Sequence, residues 1–255
     1  MKKNILVIAV VFMVVGSLHA QEYKLAKSTG KLIIKGVDRL SIEGTSGNEI
    51  IFSSADGSRE KDHRADGLRA VSSLGLEDNT GVGLSVQDKG TTYEVYQLKK
   101  MDGPRVKILV PKGVSIYYSH SSPHGSDITF KNVEGEIETS TVHNGVHLEN
   151  VTGPLNIKTV HGEIEADLNA NMKSPISLTS THGLVDLTIP AALKATMSMS
   201  TSFGEIFVDP AFKLEIEPKS DWVKYGSNKV NGKINGGGLE ITLSSTHDNV
   251  YLRKK

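Results

Sequence analysis

The sequence contains no cysteine. That absence excludes a disulfide framework, a zinc–thiolate site, an iron–sulfur cluster and an acylated lipoprotein anchor. Aromatic residues are scarce at 5%, and hydrophobic residues in all reach 38%. The chain is lean, yet too apolar and too evenly charged for a disordered polymer. Neither sign of charge dominates: 29 Lys and Arg face 29 Asp and Glu. A nucleic-acid binder carries a basic excess on one face, so that class is excluded as a partner. No segment reaches 18 consecutive apolar residues, the length a membrane-spanning helix needs. Nucleotide and hydrolase motifs are missing too. Gly81-Val82-Gly83 has no third glycine, Ser28-Thr29-Gly30-Lys31 has no upstream glycine, and neither G-x-S-x-G nor H-E-x-x-H occurs.

What is present begins with an address. Lys2 and Lys3 precede an apolar stretch from Ile5 to Val15, followed by the small residues Gly16, Ser17 and Ala20. This is the pattern of a signal peptide over residues 1–20, cleaved after Ala20. The mature chain, 21–255, then has 27 basic against 29 acidic residues. It is read as one domain with no transmembrane segment, and packing alone must hold it.

Period-2 alternation dominates the remainder, as in Arg105-Val106-Lys107-Ile108-Leu109-Val110. One short helical turn within Arg64–Ser73 is the exception. From residue 123 onward the strands repeat. Aligned on His143, His161, His182, Phe203 and His247, each copy has Ser or Thr two places earlier: Thr141, Thr159, Ser180, Thr201, Ser245. Apolar residues recur six places before and three and five places after, including Ile164, Val185, Ile206 and Val250. The next position is Asn144, Gly162, Gly183, Gly204 or Asp248, types that tolerate a left-handed turn. The intervals are 18, 21, 21 and 44 residues.

Apolar parity changes across the reference position, so the chain must bend there for both sets to face inward. Two strands and two corners per repeat make one coil of an all-β, right-handed, single-stranded parallel β-helix, a solenoid with coils of about 18–21 residues. The second corner is marked by Asn132-Val133-Glu134-Gly135 and Asn150-Val151-Thr152-Gly153. Residues 21–122 form an irregular N-terminal part of the same core. Residues 123–255 form the regular part, with an excursion at 209–226.

The alternations Gly135-Glu136-Ile137-Glu138, Gly162-Glu163-Ile164-Glu165 and Gly183-Leu184-Val185-Asp186 resemble the putative-adhesin family of exported bacterial β-strand-repeat proteins. So do Leu109-Val110-Pro111, Thr188-Ile189-Pro190 and the stretch from Gly236 to Leu243. The resemblance covers nearly all of the mature chain. It implies a β-helical solenoid exported to the periplasm or cell surface of a Gram-negative bacterium, and it supplies no catalytic residues.

The functional expectations follow. No catalytic residue, cofactor or metal is assigned. The residues able to hold an ion are the column His143, His161, His182 and His247. Their parity with the Ser/Thr column predicts stacked, shielded and metal-free rings, with Phe203 interrupting the column. Glu136, Glu138, Glu163, Glu165, Asp186 and Glu205 fall at or near matched positions beside the glycine corner and read as a solvated face. Trp222 and Tyr225 are the aromatic pair nominated as a contact surface. The leading reading is a non-enzymatic envelope protein, an adhesin-like scaffold contacting protein or glycan. A polysaccharide-active β-helix enzyme and a metal-binding or sensing module on the histidine column are the alternatives.

Overall fold

The computed structural model describes residues 22–56, 63–65, 67–68, 71–99, 103–172, 174–216 and 228–255. The proposed signal peptide lies outside them. Strands β1 (Glu22–Leu25), β2 (Thr29–Lys35), β3 (Arg39–Thr45) and β4 (Ile50–Ser54) come first. A 3-10 turn at His63–Ala65 precedes β5 (Leu84–Asp88), β6 (Thr92–Gln97), β7 (Arg105–Pro111), β8 (Gly113–His120) and β9 (Ile128–Lys131). The repeats supply β10 (Ile137–Thr141), β11 (Val146–Glu149), β12 (Leu155–Thr159), β13 (Ile164–Asp167), β14 (Ile176–Ser180) and β15 (Val185–Ile189). They continue with β16 (Ala195–Thr201) and β17 (Ile206–Val208). The last strands are β18 (Leu214–Ile216), β19 (Asn228–Ile234), β20 (Leu239–Ser245) and β21 (Val250–Lys254). No α-helix occurs among the described residues.

Two mostly parallel sheets result, one of ten strands and one of eleven. Each coil gives one strand to each sheet, so a repeat column becomes a ladder along the stack. Ile137, Leu155, Ile176, Ile241 and Met197 are mutual neighbours in register. Alternate residues point into the space between the sheets and fill it with aliphatic side chains. Ile157, Leu178, Met199, Ile164, Val185 and Val250 are fully buried, as the columns require. Ile206 is only partly buried, because β17 is the last strand of its sheet.

The order of the coils in the stack departs from their order in the chain. The coil β2–β3 lies between β6–β7 and β8–β9, and β20–β21 lies between β14–β15 and β16–β17. The coils β2–β3 and β20–β21, the first and last in chain order, are therefore each threaded one coil inside the stack. Antiparallel strands cover the ends: β5 on β6, β4 on β7 with β1 on β4, and the β18–β19 pair on β16. Covering a sheet edge this way removes a template for unwanted pairing. Among the described residues β17 pairs only with β21 and is the last strand of its sheet.

The corners correct one expectation. Gly162, Gly183 and Gly204 do not adopt a left-handed conformation; the positive-φ residues at the repeat corners are Asn132 (φ 55) and Asn150 (φ 52). The glycines serve close approach instead. A Cβ on Gly162 would sit 2.0 Å from the Asn144 carbonyl oxygen, and one on Gly183 would sit 2.1 Å from that of Gly162. The asparagines form a ladder of their own: Asn150 Nδ2 donates to Asn132 Oδ1, and Asn169 Nδ2 donates to Asn150 Oδ1.

Candidate functional site

The outer corner between the two sheets carries the histidine column. His143, His161, His182 and His247 stack with ring centroids 5.4, 4.9 and 4.5 Å apart and interplanar angles of 14° or less. Phe203 continues the stack at 4.9 Å from His247 and 1°. Two corrections follow. The rings are exposed rather than shielded. Phe203 ends the column rather than interrupting it, because β20–β21 inserts ahead of β16–β17.

The error in burial has a local cause. Each first strand of a coil ends at its Ser or Thr, and the chain bends before the ring, so strand parity stops there. The hydroxyls themselves are buried and shape the bend. Thr141 Oγ1 donates to the Asn144 carbonyl (2.7 Å) and Thr159 Oγ1 to that of Gly162 (2.6 Å). Others tie one coil to the next: Ser180 Oγ to the Gly162 carbonyl, Ser245 Oγ to that of Gly183, and Thr201 Oγ1 to that of Asp248. Between coils the corner backbone is also bonded, with the N–H of His182 on the Val160 carbonyl (2.7 Å) and that of His247 on the Thr181 carbonyl (2.9 Å).

A buried polar cluster went unrecognised in the sequence. His120 pairs in register with Thr141, so it occupies the hydroxyl column, and it is 3% exposed. Its Nε2 lies 3.1 Å from Asp38 Oδ1. Gln97 Nε2 donates to Asp38 Oδ2 (2.8 Å), while Gln97 Oε1 accepts the Asp38 N–H (2.9 Å). Three adjacent coils are thereby joined through one carboxylate. The Tyr118 hydroxyl donates to the Val37 carbonyl beside them (2.9 Å). Burial pushes the Tyr118 phenol well above its usual range, and the Asp38 charge adds to the shift. A 21-residue step back from Thr141 lands on His120, which is the signal that could have revealed this coil.

The outward carboxylates do not form one stripe. Glu138 lies on the eleven-stranded sheet, where it pairs with Lys31 (3.3 Å). Glu165 and Asp186 lie on the ten-stranded sheet. There His147 sits between Asp127 (3.5 Å) and Glu165 (3.0 Å), and Arg253 pairs with Asp186 (2.7 Å). Glu163 and Glu205 lie at the corner leading into that sheet, Glu136 at the opposite corner. Among the described residues no group of three or more His, Asp or Glu is arranged to hold a metal ion. Trp222 and Tyr225 lie outside the described residues.

Exposed large apolar side chains gather in two places, at Leu68, Val71 and Leu74 ahead of β5 and around the last coil. Phe203 is 74% exposed, Phe207 44%, and Ile216 on the capping strand β18 is 61% exposed. Phe207 stacks on Tyr251 at 5.2 Å, which in turn lies under the Arg253 guanidinium at 5.0 Å. Elsewhere a shallow depression of about 210 Å³ lies among Gly44, Thr45, Ser46, Lys112, Asn132 and Glu134.

A family model described as Toastrack DUF4097 matches residues 15–253. The chain belongs to the Toastrack family. The coiled, two-sheet architecture of this Toastrack protein is the β-solenoid expected from its repeats. No curated protein matches it. Among solved structures, a "putative cell adhesion protein" from Clostridium sporogenes is similar at 12% identity and a TM-score of 0.46, covering 93% of this chain and 100% of that one. A "putative adhesin" from Bacteroides fragilis is similar at 11% identity and a TM-score of 0.38, covering 92% and 96%.

Proposed function

We propose that this Toastrack protein is a non-enzymatic binding scaffold, exported to the periplasm or surface of a Gram-negative cell, which contacts an envelope protein or glycan. The observation that carries the reading is the last coil. Phe203 at the corner and Phe207 on β17 hold phenyl rings in the open at the end of the stack. Exposed aromatic rings on a rigid support fit the apolar face of a sugar or an aliphatic patch on a protein, at little entropic cost. The basic start and apolar stretch of residues 1–20 support export.

The test uses the mature chain, 21–255, on a glycan array and in cross-linking to isolated envelope. Binding weakened at least about tenfold by Phe203→Ala with Phe207→Ala supports the reading; tenfold corresponds to ~1.4 kcal/mol, within reach of one aromatic contact. Release of reducing ends from a polysaccharide, unaffected by those substitutions, overturns it in favour of the enzyme.

A further inference from the structure

We infer that the histidine column is a binding site for borderline divalent transition metals, Zn²⁺, Ni²⁺ or Cu²⁺, held by pairs of imidazoles from adjacent coils. Imidazole nitrogen is the ligand these ions share. Among the described residues, His120 and His147 engage carboxylates, whereas the ring nitrogens of His143, His161, His182 and His247 have no hydrogen-bond partner. All four rings are exposed, so an ion reaches them without opening the fold. Their backbones are already fixed, coil to coil, by the N–H of His161 on the Val142 carbonyl, that of His182 on Val160 and that of His247 on Thr181. Pre-organisation of this kind lowers the entropic cost of chelation.

Distance decides which pair binds first. With metal–nitrogen bonds of about 2.0–2.1 Å, two ligand nitrogens on one ion sit roughly 3.3 Å apart in a tetrahedron and no more than about 4.2 Å apart when opposed. The ring spacings narrow along the column from 5.4 Å at His143–His161, through 4.9 Å at His161–His182, to 4.5 Å at His182–His247. Stacked rings keep their in-plane lone pairs side by side, so the two partners must counter-rotate about χ2, a broad torsion for histidine. His182 and His247 need the smallest approach and form the primary site, with water completing the ion's shell. The site joins β14–β15 to the inserted final coil β20–β21, so occupancy resists withdrawal of the chain's C-terminal coil.

The experiment titrates untagged mature protein with ZnCl₂, NiCl₂ or CuCl₂ alone and follows heat release and thermal melting. At about a hundredfold excess over Kd the melting temperature should rise by roughly 5–10 °C, reversed by chelator. His182→Ala and His247→Ala should each weaken binding at least tenfold, while His124→Ala, at an exposed histidine elsewhere, should not. Chelated melts of each variant, with His182→Asn and His247→Asn as second versions, separate loss of ligand from loss of fold. No metal-dependent shift overturns the inference. So does an equal loss with His143→Ala, which means independent single imidazoles.

Discussion

Gly162→Ala tests the contact that sets the coil spacing. The added methyl carbon would lie 2.0 Å from the Asn144 oxygen, 2.4 Å from its carbonyl carbon and 2.8 Å from the Gly145 nitrogen. Ordinary contact begins at 3.4 Å, so the overlap is about 1.4 Å, and every opposing atom is backbone. Nothing flexible can swing aside. Relief requires the two corners to part, which stretches the N–H of His161 on the Val142 carbonyl and that of Val146 on the Glu163 carbonyl, both 2.8 Å. It also disturbs the Thr159 and Ser180 hydroxyls, which share the Gly162 carbonyl. Overpacking costs ~1–3 kcal/mol. Two weakened hydrogen bonds add about 0.5–1.5 kcal/mol each. The expected loss is roughly 2–6 kcal/mol, on the order of 10 °C in melting temperature for a chain of this size.

The control is Gly36→Ala. Gly36 has φ +63 and no atom within 4 Å of where the new methyl would stand, so only the left-handed strain of about 1–2 kcal/mol applies. Urea unfolding of both variants, followed by circular dichroism, gives the comparison. A Gly162→Ala protein within about 1 kcal/mol of the parent, or one more stable than Gly36→Ala, would refute close approach as the reason for the corner glycines.

Four further expectations follow. Val185→Asp buries an unpaired charge in mid-stack and should cost more than ~3 kcal/mol in urea titration, whereas Thr242→Asp on the outer face should stay within about 0.5 kcal/mol. Asp38→Ala strips both His120 and Gln97 of their partner and should cost about 3–5 kcal/mol; an unchanged urea midpoint would count against a structural role for the cluster. Tyr118 has a folded pKa raised above the unfolded value near 10, so its share of stability is fully present below about pH 10 and is lost as pH rises through that value toward the folded one. Tyr118→Phe should flatten that alkaline decline in melts across pH, and an unaltered decline would assign it to other groups. Mass spectrometry of envelope-fraction protein should find Gln21 at the N-terminus, and intact Met1 in the cytoplasm would overturn export.

The repeat columns made the solenoid legible because a stacked coil demands the same side chain in the same place. Ile164 and Val185 are neighbours in register for the same reason that they are both β-branched: each fills one layer of a core of fixed width. The N-terminal coils were harder to see. In β8 the hydroxyl is replaced by His120 and the adjacent inward position by Tyr118, so the ladder's chemistry changes while its geometry continues. The corner following β8 is also longer, which shifts Ile128 and Phe130 away from the repeat spacing. Asp38, which satisfies His120, lies 82 residues away and belongs to no column.

Parity failed at the corners because it is a property of extended chain. Thr159 is inward by strand geometry; two residues later the backbone has already turned around the Thr159–Gly162 hydrogen bond, and His161 faces water. The same limitation applies to neighbours. Columns identify which residues belong to a coil, but aliphatic layers of equal width let any coil sit on any other. What distinguishes the positions is the ends: β16 and β6 accept antiparallel strands, so their coils must lie outside, and the chain's first and last coils are driven inward. That threading brings together His182 and His247, 65 residues apart, as the tightest pair of the column, and sends Phe203 to the exposed end. The two surfaces with chemical potential, the imidazole pair and the phenyl faces, are therefore products of stack order, which no nearest-repeat reading of the sequence contains.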